Sequence, residues 1–164
     1  MHDKKKQSLT PKEAKLKAAN YCAYQERSQQ EVRNKLYEYG LHPSEVEDIL
    51  CELIVDGFVN EERFARQYAG GKFRLKKWGR KKIMQGLAQH KLSKYCVQAG
   101  LSEIDEDEYR ITLEGLIRKK AATMQSHDAF LRKNKVAVAL IAKGYEPELV
   151  WEVIGELPDQ FSGD

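Results

Sequence analysis

The sequence predicts an all-α protein, a tandem array of three three-helix repeats that is elongated and curved. Three observations carry this reading. Nowhere in the 164 residues is there the sustained apolar and polar alternation of a half-buried strand. All four prolines, Pro11, Pro43, Pro147 and Pro158, stand where a helix can begin or has just ended. Most telling, the chain repeats itself. Shifted by 51 residues, Val32, Leu36, Leu41 and Val46 fall on Ile83, Leu87, Leu92 and Val97; shifted by 104, they fall on Val136, Leu140, Tyr145 and Val150. Pro43 then meets Pro147, and Gly40 meets Gly144. A period near 50 with matching apolar and turn residues marks repeats too small to bury their own stripes, which must lean on their neighbours.

Residues 1–10, polar and Lys-rich, read as a disordered N-terminal tail. The first repeat covers 11–58. Pro11 opens its first helix, with Ala14, Ala18, Tyr21 and Cys22 at three- and four-residue steps, ending near Arg27. Ser28 and Glu31 have the spacing of a capping box, so a second helix starts there. It carries Val32 and Leu36 inward and stops at Gly40, a residue free to take positive φ. The third helix follows Pro43, with Val46, Ile49, Leu50 and Leu53 on one stripe and Gly57 at its close.

The second repeat covers 59–104 and opens at Asn60, a good N-cap. Within its first helix Gly70 and Gly71 each cost about 1 kcal/mol relative to Ala, which suggests a bend or a close crossing. Gly79 starts the next helix, and Lys91 stands where the other repeats have glycine, so the turn there is expected to be built differently. The third repeat covers 105–158. Its acidic start, Asp105 to Glu108, suits a helix N-terminus. That helix is expected to run to about Met124, and Ser126, His127 and Asp128 read as a joint or cap before the next. The last helix carries Leu149, Val150, Val153, Ile154 and Leu157, and 159–164 read as a polar C-terminal tail.

Composition narrows the function. No run approaches the roughly 18 apolar residues of a membrane span, and the N-terminus lacks the apolar core of a secretory signal, so a cytoplasmic address is expected. Cys22, Cys51 and Cys96 are odd in number and far apart, with no ligand cluster around them, which argues against disulfides and zinc. His2, His42, His90 and His127 stand away from any nucleophile or paired carboxylate, and no phosphate-loop, dinucleotide or metalloprotease motif occurs. The chain therefore reads as no enzyme, with no cofactor and no metal.

Charge supplies the positive signal. The net charge is a mild +3, but the signs are segregated. From Gly40 to Glu62 every charged residue is acidic; from Arg63 to Lys94 every one is basic. On a helix, Phe64, Tyr68, Gly71, Leu75 and Trp78 fall on one side, read as the face for burial, while Arg63, Arg66, Arg74 and Lys77 gather on another. Phe73 lies beside the basic side, either packed under a neighbour or free to touch a partner. Lys72, Arg74, Lys76, Lys77, Arg80, Lys81 and Lys82 continue the basic surface across a helix end into the next helix start. Such a surface suits an anionic partner bound without base readout. The same pattern also suits a solvated face that answers the acidic helices of the first repeat.

Three runs carry a family resemblance. Arg27, Ser28, Glu31, Val32, Lys35, Leu36 and Gly40 form one; Gly57, Phe58, Val59, Asn60, Glu61, Arg63, Phe64 and Ala65 form the second; Lys143, Gly144 and Tyr145 form the third. Over roughly Tyr24 to Ile154 the chain resembles the RecX regulatory family, departing from it at Asn60 and Glu61, where two aspartates are usual, and at Lys91, where glycine is. The resemblance implies tandem three-helix repeats and a non-enzymatic regulator, a monomer in the groove of the RecA recombinase filament on single-stranded DNA, where it restrains ATP hydrolysis, strand exchange and co-protease activity. The contact surface is then expected at Arg27, Arg63, Arg66, Lys72, Phe73, Arg74, Lys76, Lys77, Arg80, Lys81 and Lys82, with Phe73 as an apolar anchor. A sequence-independent nucleic-acid-binding repeat protein acting without RecA is the alternative.

Overall fold

A computed structural model describes residues 8–125 and 127–162. Most of the expected N-terminal tail, Ser126 of the expected joint and the last two residues lie outside them. Among the described residues there are nine α-helices, one 3-10 turn and no strand. Helices α1 (Pro11–Tyr24), α2 (Gln29–Glu38) and α3 (Pro43–Val55) pack on one another, as do α4 (Glu61–Lys76), α5 (Arg80–Ala88) and α6 (Lys94–Leu101), and α7 (Glu106–Ala122), α8 (Ala129–Ala142) and α9 (Pro147–Glu156). The protein is all-α, an array of three three-helix repeats.

Caps and spacing explain the boundaries. Ser28 Oγ accepts from the Glu31 amide at 3.2 Å while the Glu31 carboxylate accepts from the Ser28 amide at 3.4 Å, a reciprocal cap that fixes the start of α2. Thr10 and Glu13 build the same device at the head of α1. Asn60, Asp105 and Asp128 each accept from the first turn of the helix they precede. The repeat register is reproduced in the packing. Val32, Ile83 and Val136 are buried, and so are Leu36, Leu87 and Leu140, one pair on the middle helix of each repeat.

The turns closing those middle helices are alike in conformation, and this corrects one expectation. Gly40 and Gly144 have φ of 84° and 107°, and Lys91, in the place of the missing glycine, also adopts the left-handed conformation at φ 55°. The backbone turn is conserved across the array, and the side chain at Lys91 carries the strain. Lys91→Gly is therefore expected to raise stability by about 1 kcal/mol, the order of the left-handed penalty of a residue bearing a Cβ, which urea unfolding would register as a higher midpoint at unchanged slope.

The residues divide into two cores. One is built on repeat 1 and takes in the first residue of repeat 2, running from Ala14 to Val59. The other runs without a break through repeats 2 and 3, from Phe64 to Phe161. The second core takes in Phe161, 1 % exposed behind the 3-10 turn Pro158–Gln160, so the segment expected as a polar tail is anchored up to that residue. At the other end, the Leu9 amide donates to the Tyr39 carbonyl at 3.0 Å and Leu9 packs against the first core, so the last residues of the expected N-terminal tail are held.

Candidate partner-binding surface

Helix α4 is buried on a different face from the one its bulky residues suggest. Ala65, Ala69, Gly70 and Phe73 join Phe64 in burial, whereas Leu75 is 83 % exposed and Tyr68 and Gly71 are half-buried. The reason is α6. It lies so close that a Cβ on Gly100 would sit 2.7 Å from the Ala65 carbonyl oxygen, and only small side chains permit such an approach. Phe73 belongs to this buried row. At 4 % exposure, 5.8 Å ring to ring from Tyr109, it is a core residue, and its expected role as an apolar anchor for a partner is corrected.

The joint between repeats 2 and 3 sets the rest of the surface. The amides of Gly79 and Lys81, at the start of α5, donate to the carbonyls of Lys143 at 3.0 Å and Gly144 at 2.9 Å, at the end of α8. Unsatisfied donors of one helix thus meet unsatisfied acceptors of another. Tyr145 Oη donates to the Lys77 carbonyl at 2.9 Å. Tyr109 Oη accepts from the Arg80 amide at 3.1 Å and donates to the Glu146 carboxylate at 2.9 Å. Burial pushes both phenols well above the ordinary tyrosine range, so they stay protonated and serve as donors.

The eleven sequence candidates separate on this frame. Arg27 lies over the Tyr21 ring at 3.8 Å and pairs with Glu31 at 3.6 Å. Arg63 is bound by Glu26 and also donates to the Gly57 carbonyl at 3.0 Å. Arg66 pairs with Glu62 and with Glu103, both at 2.9 Å. Arg80 covers the Tyr109 ring at 3.9 Å and pairs with Glu106 at 2.6 Å and Glu146 at 3.7 Å. These four arginines tie elements of the fold together. The acid-free appearance of the α4 basic face is thus lost in three dimensions, because Glu26 and Glu103 arrive from positions 37 residues away.

Six lysines and arginines remain around the end of α4 and the start of α5. Lys72 and Lys82 both approach the Trp78 indole, their ammonium groups 4.9 and 4.6 Å from the ring centroid. Arg74, Lys76, Lys77 and Lys81 are exposed. Among the described residues none of the six has a carboxylate within 4.0 Å. Lys77 holds the left-handed conformation, φ 58°, at the C-cap of α4, a strained position for a residue with a Cβ. The cations on α5 are placed by the Gly79–Gly144 joint, and Lys77 by the Tyr145 hydrogen bond.

Sequence reasoning missed Trp78 as the centre of this cluster, having assigned it to the buried face. The dense lysines on both sides were the available signal, since an aromatic between cations is a stacking site. It also missed His90, whose Nδ1 is 2.8 Å from the buried Ser28 Oγ and 3.6 Å from Glu31, and whose ring lies 4.7 Å from Phe64. His90 thereby links repeats 1 and 2. Among the described residues no three His, Cys, Asp or Glu side chains cluster as metal ligands would, and no helix is long and apolar enough to cross a membrane.

Comparison with known proteins places this arrangement. Residues 14–53 match the family model described as RecX, first three-helix domain, and residues 60–101 match RecX, second three-helix domain. The regulatory protein RecX of Bacillus mycoides is 24 % identical over 147 residues, which are 90 % of this chain and 54 % of that protein; that of Bacillus cytotoxicus is similar to the same extent. The chain spans about half the length of these curated relatives. Among solved structures, RecX from Lactobacillus salivarius superposes with a TM-score of 0.80 at 23 % identity, over 90 % of this chain and 96 % of that one. A second crystal structure of a regulatory protein RecX gives 0.78 at 21 % identity, over 91 % of this chain and 73 % of the other.

Proposed function

The chain belongs to the RecX family, and from that premise we propose that it is a non-enzymatic, monomeric regulator in the cytoplasm. It lies in the groove of the RecA filament on single-stranded DNA and restrains RecA's ATP hydrolysis, strand exchange and co-protease activity. One observation carries the residue assignment. Arg74, Lys76, Lys77 and Lys81 form an exposed cluster with no carboxylate within 4.0 Å among the described residues, and Lys72 and Lys82 lie around Trp78 at its edge. These cations are the contact surface, meeting acidic protein or the phosphates the filament holds. Arg27, Arg63, Arg66, Arg80 and Phe73 support it from within.

Arg74→Glu combined with Lys77→Glu tests the assignment. Neither side chain is buried or paired, so helicity and unfolding midpoint are expected to stay unchanged. Inhibition of RecA is expected to weaken about five- to thirtyfold, as two exposed charges worth about 0.5–1 kcal/mol each would give. Unchanged inhibition would remove this cluster from the contact. The alternative, a nucleic-acid-binding protein acting without RecA, needs tight binding to bare DNA with a steep negative salt slope, which fluorescence anisotropy over a salt series measures directly.

A further inference from the structure

Helix α4 carries a second apolar row that is buried at its first member, Phe64, and open beyond it. Phe64, Tyr68, Gly71 and Leu75 recur at four-, three- and four-residue steps, roughly 130° around the axis from the buried row of Ala65, Ala69 and Phe73. Repeat 1 faces this row without closing on it. The two cores are separate, and the repeats meet there through polar contacts, Arg63 with Glu26 and His90 with Ser28. Between them lies an open-sided cleft of about 350 Å³. Gln25, Glu26 and Glu31 line the repeat 1 wall, and the α4 row lines the other.

Three features of the cleft define what fills it. Its length along α4, from Phe64 to Lys76, is about three helical turns, roughly 18 Å. Its middle is low, since a Cβ placed on Gly71 meets nothing within 4 Å, and its rim holds Leu75 at 83 % exposure. Its free charge is positive. Glu26 is already bound by Arg63, and Glu31 by Arg27 and the Ser28 amide. Lys72 and Lys76, also on the lining, have no carboxylate within 4.0 Å among the described residues. Apolar residues at helical spacing over a glycine floor are what a helix in a groove requires of its receptor.

We propose that the cleft between repeats 1 and 2 is a docking groove for an acidic amphipathic helix of a partner protein. Large apolar side chains of that helix enter over Gly71, between Tyr68 and Leu75, and its carboxylates meet Lys72 and Lys76. The groove adjoins the exposed cluster and shares Lys72 and Lys76 with it, but its existence does not depend on the partner being RecA.

A fluorescein-labelled helical peptide of four turns, with Leu at i, i+3, i+4 and i+7 and Glu elsewhere, tests it by anisotropy against the full chain. Saturable binding is expected, at least tenfold weaker when Lys replaces Glu or Gln replaces Leu in the peptide. Gly71→Trp, which fills the floor, and Leu75→Asp, at a position too exposed to affect folding, should each lower affinity at least tenfold with unchanged circular dichroism. Absence of saturable binding would overturn the proposal, as would binding indifferent to both substitutions. Binding of a (dT)12 oligonucleotide that both substitutions abolish would assign the groove to nucleic acid and overturn it equally.

Discussion

Gly79→Ala is expected to destabilise the joined body of repeats 2 and 3 by about 3–5 kcal/mol, combining backbone overpacking with buried donors and acceptors left unpaired. A Cβ at Gly79 would run into the Gly144 carbonyl and the Tyr145 amide nitrogen. The obstruction is backbone, so no rotamer change relieves it. To make room, α5 must withdraw from α8, and the bonds from Gly79 and Lys81 to Lys143 and Gly144 are lost. Domains of this size are stable by only about 5–15 kcal/mol, so a substitution of one methyl group consumes much of the margin. Gly115→Ala is the matched control. It lies inside α7 with open space around a Cβ and is expected to stabilise by about 0.5–1 kcal/mol through helix propensity alone. Both tryptophans, Trp78 and Trp151, report on repeats 2 and 3, so urea unfolding followed by their fluorescence reads the difference.

Phe73→Ala is expected to cost about 3–5 kcal/mol, the range for truncating a buried aromatic, whereas Leu75→Ala, two residues away, should stay within about 0.5 kcal/mol. The pair separates the two apolar rows of α4. Phe73 is 4 % exposed and packs on Tyr109 of repeat 3; Leu75 is 83 % exposed on the open cleft. Equal costs would mean that α4 is turned about its axis relative to the packing described. The same urea experiment decides it.

These two rows also show where the sequence was legible and where it was not. Local devices could be read residue by residue. The Ser28–Glu31 capping box, Pro11 at a helix start and the recurrence of Val32, Ile83 and Val136 are signals confined to a turn or to a repeat. The phase of α4 was not legible, because Phe64, Tyr68 and Leu75 outweigh Ala65 and Ala69 in bulk. What buries the alanines is the approach of α6 at Gly100, a contact between segments 35 residues apart. The basic surface failed in part for the same reason. Glu26 and Glu103 reach Arg63 and Arg66 only in the folded chain, while Arg74, Lys76, Lys77 and Lys81, at the end of α4 and the start of α5, meet no carboxylate within 4.0 Å among the described residues. At Lys91 the departure from glycine was visible, but the array enforces the turn and lysine tolerates it at a cost.

The contrast between the two junctions bears on how such an array would act. Repeats 2 and 3 share a core and a backbone joint, which holds the Lys77 to Lys82 segment in place, while repeat 1 touches repeat 2 through the Arg63–Glu26 ion pair and the Ser28–His90 hydrogen bond. Surface ion pairs are worth about 0–1 kcal/mol, so the first junction yields more readily than the second. A regulator that has to seat on a repetitive filament gains from one rigid body bearing its cations and one repeat that can adjust.

The most direct measurement is ATP hydrolysis by RecA assembled on single-stranded DNA, followed while the intact protein is titrated in. Hydrolysis is expected to fall as the protein approaches stoichiometry with RecA, with the Arg74→Glu, Lys77→Glu variant shifted to higher concentration. Hydrolysis unchanged at a stoichiometric ratio would contradict it.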